Sequence, residues 1–357
     1  LQLKKYQNSF TKSPKDFDKI NSEIQKTEFL LKLSNKANDY YYRFIVNARQ
    51  LASELDENSL QKKLLDSIFE LKKDYEYSNS PLCRYFILLL ELEYYDRRKE
   101  YNTGLSVCQE LKTLILKSPS VYKKNRLVIT EVNISFFLSR TFQFEQSLKS
   151  IENALRFTIH KSNNDLLCKE HEVIQLIYLN EFNLAHNKIR QLLKLTKEQP
   201  NSIRHSRCLF LKGIILFKLN RNKESLQINT TNTGLEDDVS GWGIQQRLFQ
   251  IILSLHLKKD DLAENLLSTL MKRFHLLPSA ITENIRIVTL ITTIKKIVSE
   301  GINSKKSKNV AYKELLNLSK SRGAISWNPM EPEIIPLHKE IADLIGVELN
   351  TTSTIRT

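Results

Sequence analysis

Glycine and proline are scarce, with 8 of each in 357 residues. An all-β chain spends both at its turns, so this scarcity excludes that class. Cysteine is also sparse. Cys83, Cys108, Cys168 and Cys208 are spaced by 25, 60 and 40 residues, which fits neither a redox CxxC pair nor a zinc knuckle. Each lies in an apolar stretch and is expected to be a small buried side chain. No apolar run approaches the roughly 20 residues of a membrane-spanning helix; the run Phe86 to Leu90 stops at Glu91. Catalytic signatures are missing too. There is no GxxxxGK[ST], GxGxxG, GxSxG or HExxH, and no two of the seven histidines stand at i, i+4. The carboxylate pairs Asp237/Asp238 and Asp260/Asp261 fall in turns, where such residues serve as helix N-caps. The expectation is therefore no enzyme, no cofactor and no metal. Cysteine usage suits a cytoplasmic location.

Apolar residues recur with a spacing near 3.6 almost throughout, and sustained alternation is absent. Ile174, Ile177 and Tyr178, or Phe210, Ile214 and Phe217, are typical sets. The pattern places helices over 15–33, 36–54, 58–77, 82–97, 100–117, 121–140, 144–160, 165–180, 183–197, 202–219, 222–229, 242–257, 260–275, 279–299, 308–321 and 336–346. Short loops between them imply antiparallel helix hairpins.

Five short turns share a pattern, each ending on a small residue: Gly104, Ser147, Ala185, Ser225 and Ala263. These anchors are 43, 38, 40 and 38 residues apart. Tyr101, Phe144 and Phe182 each precede an anchor by three. Pro119, Pro200 and Pro278 each follow one by 15, and Pro81 keeps the same beat upstream. A small anchor lets two helices approach, and a proline ends one hairpin before the next. One hairpin cannot bury its apolar face alone, whereas stacked hairpins share a continuous core.

The turn Phe182–Ala185, continuing through Leu193, resembles helix B of the tetratricopeptide repeat (TPR). Gly213 and Ser135, twelve residues before Ser225 and Ser147, match the family's small helix-A position, whereas Val173 and Ile251 do not. Units of 38–43 residues exceed the family's 34. The resemblance implies a right-handed superhelix, an α-solenoid of TPR-like hairpins, and divides the chain into N-terminal helices over 1–80, an array over 81–322 and a tail over 323–357.

Two places break the pattern. The helix after Ser225 fails at Asn229–Gly234, which favours leaving a helix and leads into Glu236, Asp237 and Asp238. The tail from Gly323 to Pro336 holds Trp327, Pro329, Pro332 and Pro336, so it is extended, and it is expected to cap the last repeat as a strap anchored by Trp327.

Charge is the remaining clue, at a formal +14. His186–Lys223 carries ten Lys/Arg against Glu198, and Lys295–Arg322 carries eight against Glu300 and Glu314. These are solvated helix faces, or surfaces for an acidic protein or for nucleic acid. Aromatic residues are too few in the second segment for a single-strand binder, so nucleic acid is the weaker alternative. The TPR resemblance implies a partner on the concave face of the first helices. It places there Phe136, Ser139 and Arg140; Glu170, Ile174, Ile177 and Tyr178; Arg207, Phe210, Ile214, Phe217 and Lys218; and Gln245, Leu248, Ile252 and His256. Of these, Arg140, Tyr178, Arg207, Phe210, Phe217, Lys218 and His256 are the candidate binding residues, and core packing accounts for many of the apolar ones. Phe136, Ile174 and Ile214 stand where the carboxylate clamp of chaperone-binding TPRs needs Asn, so a chaperone tail is not expected. The expected function is a protein- or peptide-binding scaffold for a partner with acidic flanks, with a peptide-gated switch as the alternative.

Overall fold

In the computed structural model, the described residues are 14–46, 56–197, 202–236, 238, 240–277, 279–282, 284–302, 304–320 and 325–349. Pro200, Pro278, Asp237 and Gly323 lie outside them. Among the described residues there is no strand.

The residue contacts divide the chain into two units, residues 1–141 with 156–158, and residues 142–155 with 159–357. The first unit contains α1 (Pro14–Tyr41), α2 (Glu57–Ser78), α3 (Pro81–Arg97), α4 (Tyr101–Lys117) and α5 (Lys124–Arg140). Helix α3 packs on α1, α2 and α4, and α4 packs on α5. That position explains why α3 is apolar almost all round, with Phe86 to Leu90 buried among its neighbours. Helix α1 runs unbroken where the apolar pattern suggests two helices meeting at Ser34–Asn35. No Gly or Pro interrupts the stretch after Pro14, and Lys36 ties it to Glu70 and Asp74 of α2 at 2.6 and 2.7 Å.

The second unit contains α6 (Phe144–Leu155), α7 (Asn163–Tyr178), α8 (Phe182–Thr196), α9 (Ile203–Lys218), α10 (Asn222–Thr231), α11 (Trp242–His256), α12 (Asp260–Phe274), the short α13 (Ser279–Thr282), α14 (Ile285–Glu300), α15 (Lys305–Leu318) and α16 (Leu337–Ile345). Consecutive helices from α6 to α12 pack pairwise, as do α14 and α15. The 279–299 pattern is split because the Asn284 side chain accepts the Ile287 N–H at 3.2 Å and starts α14 afresh. Asp260 and Asp261 do not cap α12. They occupy its first turn, where the helix dipole favours a carboxylate.

All five anchors are buried. Five residues before each stands a left-handed residue: Lys99, Phe142, Asn180, Asn220 and Lys258, with φ between 55° and 62°. The N–H after four of them returns to a carbonyl five residues back, as in Glu181 to Leu176 and Arg221 to Leu216. This is the hydrogen-bond pattern that reverses the chain after a helix. A built Cβ on Gly104 would lie 2.3 Å from the Phe137 ring, and one on Gly213 would lie 2.0 Å from the Asn229 amide. The Ser225 hydroxyl donates to the Gly213 carbonyl at 2.6 Å, so these helices approach at the twelve-residue register.

Candidate functional site

Helices α7, α9 and α11 are the first helices of successive hairpins, and α7 also packs on α9. Their shared face carries the candidate residues of the second unit. It is covered by the chain's own tail. Residues 325–336 contain no helix and are followed by α16, which packs on α11, α14 and α15.

At one end Tyr178 receives the tail. Its hydroxyl accepts the Met330 N–H at 2.8 Å. Its ring centre is 4.8 Å from Phe144 and 5.8 Å from Trp327, and Phe142 is 5.9 Å from Trp327. The Trp327 indole N–H donates to the Glu333 carbonyl at 2.8 Å, which folds the segment back on itself. The Gln175 amide reaches the Met330 sulfur at 3.4 Å.

In the middle, Phe210, Ile214, Gln245 and Phe249 meet Pro332, Glu333, Ile334, Ile335 and Leu337 along a seam with no room for a water. Ile334 and Ile335 are buried. Phe210 lies against Trp242 and Phe249, and Phe217 against Phe249 and His256. The Gln245 Oε1 is buried in the seam without a hydrogen-bond partner.

Ion pairs hold the tail at two points. Lys218 binds Glu340 of α16 at 2.6 Å. Arg286 of α14 holds Glu333 in a two-pronged pair at 2.6 and 2.7 Å, and also donates to the carbonyls of Leu318 and Ile325. A further Arg286 N–H faces His338 Nδ1 at 3.0 Å. Arginine only donates, so that nitrogen accepts and the ring is neutral. Burial and the Arg286 charge push its pKa down to about 3.

The other candidate residues are engaged within the protein. Arg207 pairs with Glu170 and stacks over Trp242 at 4.6 Å. Glu170 is fully buried, and burial pushes its carboxyl up against the pull of Arg207 and Arg204. Burial lowers the His256 pKa although Glu340 and Asp343 draw it upward, and its Nε2 is buried without a partner. Arg140 belongs to the first unit, where it lies over the Phe136 and Tyr101 rings at 4.6 and 5.6 Å. Leu248 and Ile252 are core.

Trp327 was visible in the sequence as a tail anchor. Gln175, Arg286, Glu333, His338 and Glu340 were not picked out. Glu333 carried a signal, as an acid set between Pro332 and Ile334 in an apolar run. Arg286 stands in the first turn of a helix that also carries Lys295 and Lys296, and nothing in the sequence set it apart from them.

Among the described residues no group of three His, Cys, Asp or Glu side chains is placed to hold a metal. No described helix is long and apolar enough to cross a membrane. The four cysteines are buried and unpaired, and burial raises their thiol pKa values, to about 11 for Cys83 and about 12 for Cys168.

No protein-family model matches the sequence, and no curated protein matches it significantly. Solved structures do. The chain is similar to a Rap protein complexed with competence and sporulation factor, with TM-score 0.60 at 11% identity over 88% of this chain and 92% of that one. It is similar to the Rap conjugation gene regulator of plasmid pLS20 in complex with the Phr* peptide, with TM-score 0.56 at 13% identity over 88% and 95%. It is also similar to aspartyl phosphate phosphatase F from Bacillus subtilis, with TM-score 0.57 at 12% identity over 85% and 80%. At these identities the likeness carries the fold, an all-α array of TPR-like helix hairpins.

Proposed function

We propose that this chain is a peptide-binding regulatory scaffold, whose face on α7, α9 and α11 holds an extended segment of a partner. The observation that supports this most directly is that the same face already holds a non-helical segment, residues 325–336, which runs over it in turns and bends. It does so with an aromatic cluster and a closed apolar seam, helped by Arg286 of α14, which pairs with Glu333, and by Lys218, which pairs with Glu340 of the helix that follows the segment. Those elements are what a groove needs to take linear peptides: pockets for alternate side chains and polar groups that fix the register. One structural neighbour is a complex with a peptide and another is a complex with competence and sporulation factor; the first favours a peptide over a folded partner and supports peptide-gated regulation. Arg207 and Lys218 are engaged within the chain, which weakens the case for nucleic acid on this face. No catalytic role is assigned to any residue.

The test is selection of random linear peptides on the full chain, followed by photo-crosslinking of the binders. Binders are expected to crosslink to α7, α9 and α11. A selection without binders, or crosslinks confined to other helices, overturns the reading.

A further inference from the structure

The tail is held in an uncommon way for a permanent part of a core. Met330 adopts φ 66°, a left-handed conformation unfavourable for any residue with a side chain. Prolines at 329, 332 and 336 remove three backbone donors. Between Trp327 and Pro336, the backbone bonds of the tail to the rest of the unit include Met330 to the Tyr178 hydroxyl. Two others, Trp327 to the Glu333 carbonyl and Leu337 to the Glu333 carboxylate, run within the tail. The fit to the host face is also incomplete. Gln245 presents a buried oxygen with no donor, against a stretch in which Pro332 has no N–H to give. Beside Trp327 and Pro336 a cavity of about 250 Å³ stays open between Phe144, Tyr178, Phe182 and Lys218. A buried acceptor left unpaired penalises the present occupant, and the open cavity beside the aromatic cluster leaves room for a larger one. A different peptide can pair the first and fill the second.

We propose that residues 327–340 are an exchangeable internal ligand, and that the external partner of the face is a linear peptide of the same chemistry. That peptide carries an aromatic residue for the Phe142, Phe144 and Tyr178 cluster. An acid for Arg286 follows, spaced as Glu333 is from Trp327, and two branched aliphatic residues after it face Phe210 and Phe249. Where the tail has Pro332, the partner has a residue with an N–H for Gln245. This rests on the peptide-binding reading and adds the identity class of the peptide and the route by which it gains access.

The inference is tested with a fluorescent peptide of residues 325–340 titrated into the full chain. The chain is used as wild type, as Trp327→Ala and as Met330→Pro. Met330→Pro removes the N–H given to Tyr178 and forbids the positive φ, leaving every host helix untouched. Loosening the internal ligand should tighten peptide binding at least tenfold in one or both variants. A peptide with Pro332→Ala should bind tighter than the unaltered one, and a peptide with Glu333→Ala should bind at least tenfold more weakly. Hydrogen exchange over 325–345 reports whether the tail has loosened in each variant. The inference is overturned if wild type and variants bind the peptide equally. It is also overturned if none binds it, whether the tail has loosened (the emptied face rejects it) or stays protected (the tail does not exchange). Randomly selected peptides that crosslink to α7, α9 and α11 of the loosened chain, while the 325–340 peptide does not bind, overturn this inference and leave the peptide-binding reading standing.

Discussion

At the residue scale, the small side chains were the most legible feature, because a close helix contact tolerates few alternatives. Gly213 shows how competing effects are decided. Alanine is a better helix former than glycine by about 1 kcal/mol. A Cβ there meets the Asn229 amide at 2.0 Å, however, and Asn229 is a hub. Its side chain donates to the Ser225 carbonyl, and its own carbonyl accepts from Gln246 and Gln250. Overpacking costs about 1–3 kcal/mol, so Gly213→Ala is expected to lower stability, with a reduced thermal midpoint. Ala185 is fully buried, and Ala185→Arg should cost about 3 kcal/mol or more by adding volume and an unpaired charge. An unchanged midpoint in either variant would show that the register is misplaced. His338 predicts a pH dependence. Its pKa in the folded chain is pushed down to about 3 from 6.5, by burial first and then by Arg286 and Lys339. Below pH 6.5 the unfolded chain takes up a proton that the folded chain refuses, so this contribution is complete above 6.5 and falls away toward 3. The slope is at most about 1.4 kcal/mol per pH unit. Urea midpoints at pH 7.5, 6.5 and 5.5 should decline, and His338→Gln should flatten the decline.

At the element scale, periodicity located nearly every helix, and the misplaced boundaries have local causes. The break predicted near Ser34 did not occur because polarity alone does not stop a helix without a Gly or Pro. The stop at 279–284 was missed because it depends on the Asn284 cap, a single hydrogen bond. The left-handed turn residues Lys99, Phe142 and Lys258 were illegible as such, since neither Lys nor Phe is typical of that conformation. The hydrogen bonds of the reversal hold Lys99 and Lys258 there. The short α10 was visible in Asn229–Gly234, but its purpose was not. The loop after it places Asp238, whose carboxylate accepts the Trp242 N–H at 2.8 Å together with the Ser240 N–H and hydroxyl, opening α11. Asp238→Ala should cost about 1 kcal/mol through loss of this cap. Thermal unfolding of the variant checks it, and Asp238→Asn should recover most of the loss.

At the scale of the whole molecule, net charge was easy to count and hard to interpret. A composition treats every cation alike, whereas burial sorts them. Arg207 and Lys218 read from the sequence as binding residues on the concave face, yet they are about one-quarter exposed and face carboxylates that are fully or almost buried, Glu170 and Glu340. The candidate face was legible because hairpin phase fixes which side of a helix looks inward. Its occupant was illegible as an occupant, since the pairing of Arg286 with Glu333 and of Lys218 with Glu340 spans long stretches of sequence. The sorting makes a comparison of charge reversals decisive. Lys194 is exposed on α8, and Lys194→Glu should change stability by no more than about 0.5 kcal/mol. Arg207→Glu sets a second carboxylate against the buried Glu170 and should cost about 3–5 kcal/mol, as breaking a buried pair does. Lys218→Glu should fall between them, near 1–3 kcal/mol, because its partner Glu340, unlike Glu170, keeps some contact with water, which screens part of the repulsion. Added salt weakens interactions between exposed charges more than buried ones, so the cost of Arg207→Glu should persist at 1 M salt while that of Lys218→Glu shrinks. Denaturant midpoints for the three variants at low and high salt measure this order. Equal midpoints for Arg207→Glu and Lys194→Glu would mean that Arg207 is a free surface cation after all, returning it to the set available to an outside partner.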